Sequence, residues 1–166
     1  LLWRGEAGGT MLAVENPDHL RLENILIGHH DAGPGTQGVD ILHTASGASF
    51  MTYEAVFVFG MYQKKPFEKG LQFRSLPKDA TVVLDRVNGN LRFTDCGDAT
   101  IFAPVSYEGS MLVEGREGGR GGFMGFQTRL STIVERALVV RDNHSLVISD
   151  FFVEQADGGW SIEGGP

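Results

Sequence analysis

The chain has 166 residues, of which 42% are hydrophobic, and a formal net charge of −7. This negative balance argues against nucleic acid or an anionic membrane surface as the main partner, because neither would be attracted electrostatically. No stretch approaches 18 consecutive apolar residues, so the sequence predicts no membrane span. The single cysteine, Cys96, excludes an intrachain disulfide and a multi-cysteine metal site, and we expect it in the core.

The first clear element along the chain is an alternation of apolar and polar residues that is interrupted once. Leu20 and Leu22 alternate with polar residues, and the alternation then shifts at Asn24 and resumes at Ile25 and Ile27. A strand with one face in water would keep a single parity. The shift therefore predicts a sharp bend at Asn24, because Asn tolerates the left-handed conformation.

The same pattern recurs along the chain, and its first three starts are 31 residues apart. It begins at Leu20, Met51, Val82, Leu91 and Leu146, with a weaker echo at Met111. Asp95 and Asp150 take the bend position in two of these copies. The abundance of Gly (23 residues) and Phe (11 residues) favours short strands joined by tight turns over helices.

A drifting period near thirty residues is typical of stacked repeats. We therefore predict an all-β fold, a right-handed parallel β-helix (solenoid) segment of roughly five rungs. The rungs are expected at 18–49, 50–79, 80–110 and 111–143, with a last one opening at 144. Residues 1–166 are expected to form one such segment, a fragment of a longer chain. A β-sandwich or jelly roll is the alternative, because it also has short strands separated by turns.

Two segments fit this pattern poorly. Residues 128–138 have apolar positions spaced as in an amphipathic helix, but their β-branched content favours a strand, so both remain open. The Gly-rich residues 114–122 are expected to form a surface loop. No Walker lysine follows this loop, which argues against a phosphate site.

The motifs at 20–28 and 146–153 resemble rungs of the pectin-lyase-like right-handed parallel β-helix superfamily, which includes polysaccharide lyases, glycoside hydrolases and phage tail spikes. The resemblance implies an extracellular, cell-surface or periplasmic protein acting on an acidic or plant-type polysaccharide as a lyase or hydrolase. The alternative is a non-catalytic glycan-binding or structural module, such as an adhesin or tail-spike segment. The partners implied are a polysaccharide or oligosaccharide and neighbouring rungs or caps of a longer chain.

The resemblance also implies Ca²⁺ as a cofactor, held by carboxylates on neighbouring rungs. Asp40, Glu54, Asp85 and Asp95 are spaced so that some of them could stack. The adjacent aspartates, Gly-His-Gly and Arg-x-Lys of the pectin-hydrolysing members are not present in this sequence.

Among local clusters, His30 and Asp31 stand first, preceded by His29 and followed by Asp40 and His43. A histidine beside a carboxylate could act as a general base or bind a metal with an orienting partner. The alternative is a polar turn in which Asp31 bonds nearby backbone amides.

A second cluster comprises Asp85, Arg86, Arg92 and Asp95, around the turn at 88–90. Lyase chemistry removes a proton beside a carboxylate, which favours a base next to an arginine that neutralises charge. The alternative is a surface salt bridge of little energetic weight.

A third cluster is a basic, aromatic loop that could grip an acidic sugar. Its members are Tyr62, Lys64, Lys65 and Lys69. The alternative is an ordinary solvated loop between strands.

Overall fold

The structure is a computed structural model. It describes residues 1–3, 6–29, 33–44, 49–60, 67–77, 80–85, 87–96, 99–102, 105–107, 110–115, 122–126, 129–131, 138–142, 145–150, 152–154 and 160–163.

The secondary structure of the described residues consists of strands. These are β1 (Leu2–Trp3), β2 (Thr10–Glu15), β3 (His19–His29), β4 (Gln37–Leu42), β5 (Ser49–Gly60), β6 (Lys69–Arg74), β7 (Ala80–Asp85), β8 (Val87–Asn88), β9 (Leu91–Thr94), β10 (Thr100–Phe102), β11 (Val105–Tyr107), β12 (Met111–Glu114), β13 (Gly122–Phe126), β14 (Arg129–Ser131), β15 (Leu138–Arg141), β16 (Ser145–Ile148), β17 (Phe152–Glu154) and β18 (Trp160–Glu163).

Within the described residues these strands form two sheets. The first sheet has eleven strands, in the order β16-β13-β10-β7-β5-β8-β11-β14-β17, with β3 beside β5 and β1 beside β3. The second sheet has seven strands, in the order β18-β15-β12-β9-β6-β4-β2. All of the described strand pairs are parallel, for example β4 with β6 and β6 with β9. This pairing rules out an antiparallel sandwich for the described strands.

The second sheet is held by apolar rows that run across its strands. One row joins Val39, Leu71, Leu91, Met111 and Leu138, which are register partners and are all buried. Each such side chain contributes about 1.5–3 kcal/mol when it is fully removed from water. Because side chains alternate along a strand, the residues between these positions face away from the core.

A second apolar row lies two residues further along the same strands and contains the aromatic stack of the core. Ile41, Phe73 and Phe93 are register partners with no exposed surface. The rings of Phe73 and Phe93 are stacked, with centroids 5.2 Å apart and planes inclined by 6°. The buried side chain of Cys96 belongs to the same core, as predicted, and burial raises the pKa of its thiol to about 12.

Left-handed residues bend the chain at the predicted places. The φ angle is 51° at Asn24, 52° at Asp95 and 51° at Asp150. Asn24 interrupts the alternation of β3, so that Ile25 and Ile27 continue to face the core that Leu22 faces. The prediction of left-handed bends at these three residues is confirmed.

The predicted right-handed parallel β-helix of roughly five rungs is wrong. The described strands form two separate parallel sheets instead. The 31-residue interval holds from His19 to Phe50 to Thr81, but the next register partner of Thr81 is Thr100. The repeat therefore shortens in the second half of the chain. The predicted boundary at 111 coincides with a strand of the second sheet, whereas the boundary at 144 lies one residue before β16 of the first sheet.

Two of the proposed copies of the bend pattern lie in the second sheet and are not equivalent to the others. Leu91 and Met111 pair with each other, and Leu91 pairs with Leu71 of the second sheet. They are not equivalent to Leu20, which pairs with Met51 in the first sheet. Apolar alternation is common to both sheets, so it cannot distinguish one sheet from the other.

The ambiguous segment at 128–138 contains strands where the structure describes it. Arg129–Ser131 and Leu138–Arg141 are β14 and β15, and residues 132–137 lie outside the described residues. Most of the Gly-rich loop, residues 116–121, also lies outside them.

The core is less well covered at the strands nearest the start of the chain. Leu12 and Val14 of β2 are half-buried, whereas their partners Val39 and Ile41 on β4 have no exposed surface. Leu20 of β3 is likewise half-buried, although it faces the same core. Among the described strands, β2 pairs with β4 alone.

A close approach at Gly89 joins the turn before β9 to the first sheet. Gly89 has a φ of 117°, and a Cβ atom at this position would collide with the carbonyl oxygen of Val58. Only glycine fits this conformation and this close approach without a shift of the backbone. The next residue, Asn90, donates from Nδ2 to the carbonyl oxygen of Phe67 at 2.7 Å and accepts from the backbone N–H of Ser110 at 2.9 Å.

We expect Gly89→Ala to lower the free energy of unfolding by well over about 1 kcal/mol, because it adds a backbone collision to an unfavourable φ. Gly8→Ala is the matched control, since Gly8 also has a positive φ but a Cβ atom added there would meet nothing within 4 Å. Urea unfolding of both variants measures the difference. Equal losses of unfolding free energy in the two variants would show that the close approach to Val58 is not what makes glycine necessary at position 89.

Candidate functional site

The outer face of the second sheet holds a group of charged and amide side chains. Asp40, Gln72 and Arg92 are register partners on β4, β6 and β9. Arg74 and Glu114 lie two residues further along β6 and β12, with Thr94 between them in register. We call these five residues, Asp40, Gln72, Arg74, Arg92 and Glu114, the polar patch.

Strand alternation places the polar patch on this face. Asp40 lies between the core residues Val39 and Ile41, and Gln72 lies between Leu71 and Phe73. Arg92 lies between Leu91 and Phe93 in the same way. Since the neighbours of each residue occupy the core, its own side chain points to the opposite face of the sheet.

Asp40 and Arg74 form the central ion pair of the polar patch. Arg74 donates from Nε to Oδ1 of Asp40 at 2.9 Å and from Nη2 to Oδ2 at 2.6 Å. Gln72 adds a longer bond from Nε2 to Oδ1 at 3.3 Å. The Asp40 side chain is only 9% exposed, whereas that of Arg74 is 38% exposed. The hydrogen bond to Asp40 raises the pKa of the Arg74 guanidinium.

Arg92 and Glu114 form a second ion pair two strands away. Nη2 of Arg92 donates to Oε2 of Glu114 at 2.9 Å, and both side chains are about a quarter exposed. Solvent screens this pair more than the Asp40–Arg74 pair, so we expect it to contribute less to stability.

Two buried polar atoms of the polar patch have no hydrogen-bond partner within the described part of the chain. They are Oε1 of Gln72, which is an acceptor, and Nε of Arg92, which is a donor. Gln72 and Arg92 are register partners on neighbouring strands. A buried group without a partner costs about 1–3 kcal/mol, so this arrangement needs an explanation.

The spacing of the strands limits the chemistry of the polar patch. Asp40 and Glu114 lie on strands three steps apart, which at about 4.8 Å per step separates their backbones by about 14 Å. The two carboxyl groups of a glycosidase lie at most about 9.5 Å apart. Arg74 and Arg92 are on adjacent strands and suit the recognition of carboxylates, since guanidinium groups bind them in a planar, bidentate geometry.

The structure does not bring the second sequence cluster together on one sheet. Asp85 is an exposed residue at the end of β7 in the first sheet, whereas Arg92 is on β9 in the second sheet. Asp95 follows β9 at a left-handed bend, where its backbone N–H donates to the carbonyl oxygen of Glu114. Arg86 lies outside the described residues.

The remaining predicted site residues also lie outside the described residues. They are His30, Asp31, Tyr62, Lys64 and Lys65. Lys69, which was grouped with the basic loop, begins β6. His29, next to the first cluster, is buried, and its ring centroid lies 4.4 Å from that of Phe67.

The carboxylates suggested for calcium are divided between the two sheets. Glu54 and Asp85 are register partners in the first sheet, together with Glu23, which the calcium prediction did not include. Asp40 is paired with Arg74 in the second sheet. Within the described residues, no group of three or more His, Cys, Asp or Glu side chains is arranged to hold a metal ion.

Gln72, Arg74 and Glu114 were missed as site residues. Their one sequence signal is that each follows a core position on a strand, as in Leu71-Gln72-Phe73-Arg74. This signal is shared by every outward residue of a parallel sheet. The intervals from Asp40 to Gln72 to Arg92 are unequal, so a search for a fixed repeat could not align them.

Comparison with known proteins finds no matching family model, no matching curated protein and no matching solved structure. The resemblance to the pectin-lyase-like superfamily therefore stays a prediction. In the part of the chain that the structure describes, no helix is long and apolar enough to cross a membrane.

We expect Arg74→Met to lower the free energy of unfolding by about 3 kcal/mol, because it leaves the buried carboxylate of Asp40 without its cation. Arg21→Met is the control, since Arg21 pairs with Glu23 at 3.0 Å but is 67% exposed, and its loss should cost at most about 1 kcal/mol. Chemical denaturation measures both. A loss for Arg74→Met no larger than that for Arg21→Met would contradict the structural role of the buried pair.

His43 follows β4 directly and provides a test of pH dependence. Its side chain is buried, and burial lowers its pKa. The unfolded chain therefore takes up this proton near pH 6.5 while the folded chain does so only at lower pH. Stability should fall as the pH drops below about 6.5 and level off below the folded pKa.

His43→Leu should reduce this fall, because the variant has no proton to take up at this position. Urea unfolding at about pH 7.5 and about pH 5 measures the slope. His19→Gln is the control, since it removes an exposed histidine, and it should keep the slope of the original chain. If the dependence of stability on pH is unchanged in His43→Leu, groups other than His43 cause the acid sensitivity.

Proposed function

We propose that this chain belongs to a protein that binds an acidic polysaccharide outside the cytoplasm, with the glycan lying across the strands of the second sheet. The observation that carries the proposal is the polar patch, in which Arg74 and Arg92 extend from adjacent strands on one face. Their guanidinium groups are chemically suited to the carboxylates of uronate sugars.

The buried carboxylate of Asp40 supports this role by orienting Arg74. It engages Nε and Nη2 of the guanidinium, and more than a third of the Arg74 side chain remains exposed. A guanidinium has five N–H groups, so donors are left over for a ligand. Because Arg74 is already held in one geometry, less side-chain entropy is lost when a ligand binds.

The polar patch repels an acidic ligand less than the net charge of the whole chain would suggest. The chain has a net charge of −7, but the two acidic and two basic groups of the polar patch cancel. Asp40 is largely shielded, whereas both arginines are accessible. We therefore expect moderate affinity that weakens with added salt, because the exposed charges are screened.

A polysaccharide lyase is the second candidate, and the adjacent arginines favour it specifically. β-Elimination from a uronate develops negative charge beside the sugar carboxylate, which arginine can stabilise. Arginine stays protonated, so Arg74 and Arg92 would supply charge neutralisation and another group would remove the proton. Binding without turnover requires no such base, and for this reason we rank binding first.

We expect the full chain to bind oligogalacturonate and to bind its methyl ester at least about tenfold more weakly, because the ester lacks the carboxylates that arginine recognises. Arg92→Gln should reduce affinity for the acid form by about tenfold or more and reduce affinity for the ester less, because the ester lacks the carboxylate. Arg21→Gln is the control for loss of one exposed positive charge on the other sheet. Isothermal titration calorimetry at two salt concentrations measures these affinities.

Equal affinity for the acid and the ester, or an equal effect of Arg92→Gln and Arg21→Gln, would rule out the polar patch as the carboxylate site. The same oligogalacturonate also distinguishes the two candidates. Formation of unsaturated uronate, followed by its ultraviolet absorbance, would establish a lyase, and binding by this chain with no such product would favour the binding module.

A further inference from the structure

The unmatched atoms of Gln72 and Arg92 specify the chemistry of a ligand group. Oε1 of Gln72 can only accept a hydrogen bond and Nε of Arg92 can only donate one. The two residues are register partners on β6 and β9, so their backbones are about 4.8 Å apart. A group placed between them must donate to one atom and accept from the other.

A hydroxyl group satisfies both atoms at once, because it has one donor and two acceptor sites. An ionised carboxylate only accepts, and an ammonium group only donates. Sugar rings carry hydroxyl groups beside the carboxylate of a uronate. Adjacent members of the polar patch could therefore bind the carboxylate and a hydroxyl of one sugar.

We propose that Gln72 and Arg92 form a hydroxyl-binding subsite for a ring hydroxyl of the glycan, next to the carboxylate site at Arg74. This subsite rests on the proposed function, since it assumes that a glycan lies on the second sheet. Gln72 is the specificity-determining residue, and its Nε2 is held in place by Asp40.

The environment of the subsite agrees with this role. Gln72 is 4% exposed and lies beside the ion-paired Asp40, so its amide is fixed from one side. Arg92 is about a quarter exposed, and its ion pair with Glu114 uses Nη2 and leaves Nε unused. Both unmatched atoms are buried, so the proposal requires the Arg92 side chain to shift when the hydroxyl enters. The hydroxyl then replaces an unfavourable arrangement with two hydrogen bonds.

The experiment compares oligogalacturonate with its ring O-acetylated form, which keeps the carboxylates and lacks the hydroxyl donors. The original chain should bind the unmodified oligomer about tenfold more tightly, the equivalent of one lost buried hydrogen bond. Gln72→Met should bind both forms with the lower affinity, so the discrimination disappears. Its stability to urea should change little, because loss of the long 3.3 Å bond to Asp40 is offset by removal of the unmatched acceptor.

Gln37→Met is the matched control, since Oε1 of Gln37 on β4 is also buried without a partner among the described residues but lies outside the polar patch. It should keep the full discrimination. Arg92→Lys is the second variant, and it keeps the positive charge while removing Nε. It should lose the discrimination against acetylation and keep the preference for the acid over the methyl ester.

Full discrimination in Gln72→Met and Arg92→Lys would overturn the hydroxyl subsite and leave the carboxylate site intact. Such a result would mean that Gln72 and Arg92 pair with each other and play a structural role. Failure of the original chain to bind either the acid or the ester form would instead overturn the proposed function itself. The two failures are therefore distinguishable.

Discussion

The parallel register of the strands is the constraint on which the rest of the structure depends. In a parallel sheet each residue meets its equivalent on the next strand at a constant spacing, so like side chains accumulate in rows. The row from Val39 to Leu138 makes the core continuous across the second sheet. The same rule, applied to the opposite face, places Asp40, Gln72 and Arg92 in one line. Core and candidate site are thus two consequences of one register.

The sequence could predict the features that repeat in a simple way. Equal intervals of 31 residues relate His19, Phe50 and Thr81, and the left-handed bends at Asn24, Asp95 and Asp150 follow from breaks in the apolar alternation. The division into two sheets was not predictable, because strands of both sheets share one apolar alternation. The polar patch could not be predicted either, since its members lie at unequal intervals along the sequence. Their pairing depends on the lengths of the turns between strands, which local preferences do not determine.

Burial divides the polar patch into a fixed part and an accessible part. Asp40 is shielded and bonded twice to Arg74, so it acts on a ligand through the orientation of that arginine. Arg92 and Glu114 are each about a quarter exposed and are joined by one hydrogen bond instead of two. This division matches what recognition of a polymer requires, with one preorganised anchor beside a side chain that can adjust to the incoming sugar.

The half-buried apolar residues of β2 and β3 imply a gradient of local stability along the molecule. Leu12 and Leu20 are covered by neighbouring strands less completely than Val39 and Met51 one strand further in. Opening the outermost strand therefore costs less free energy than opening the strands behind it. Backbone amides of β2 should exchange with solvent deuterium sooner than those of β4 and β6. Because the polar patch begins on β4, an opening of β2 alone would leave all five of its residues in place.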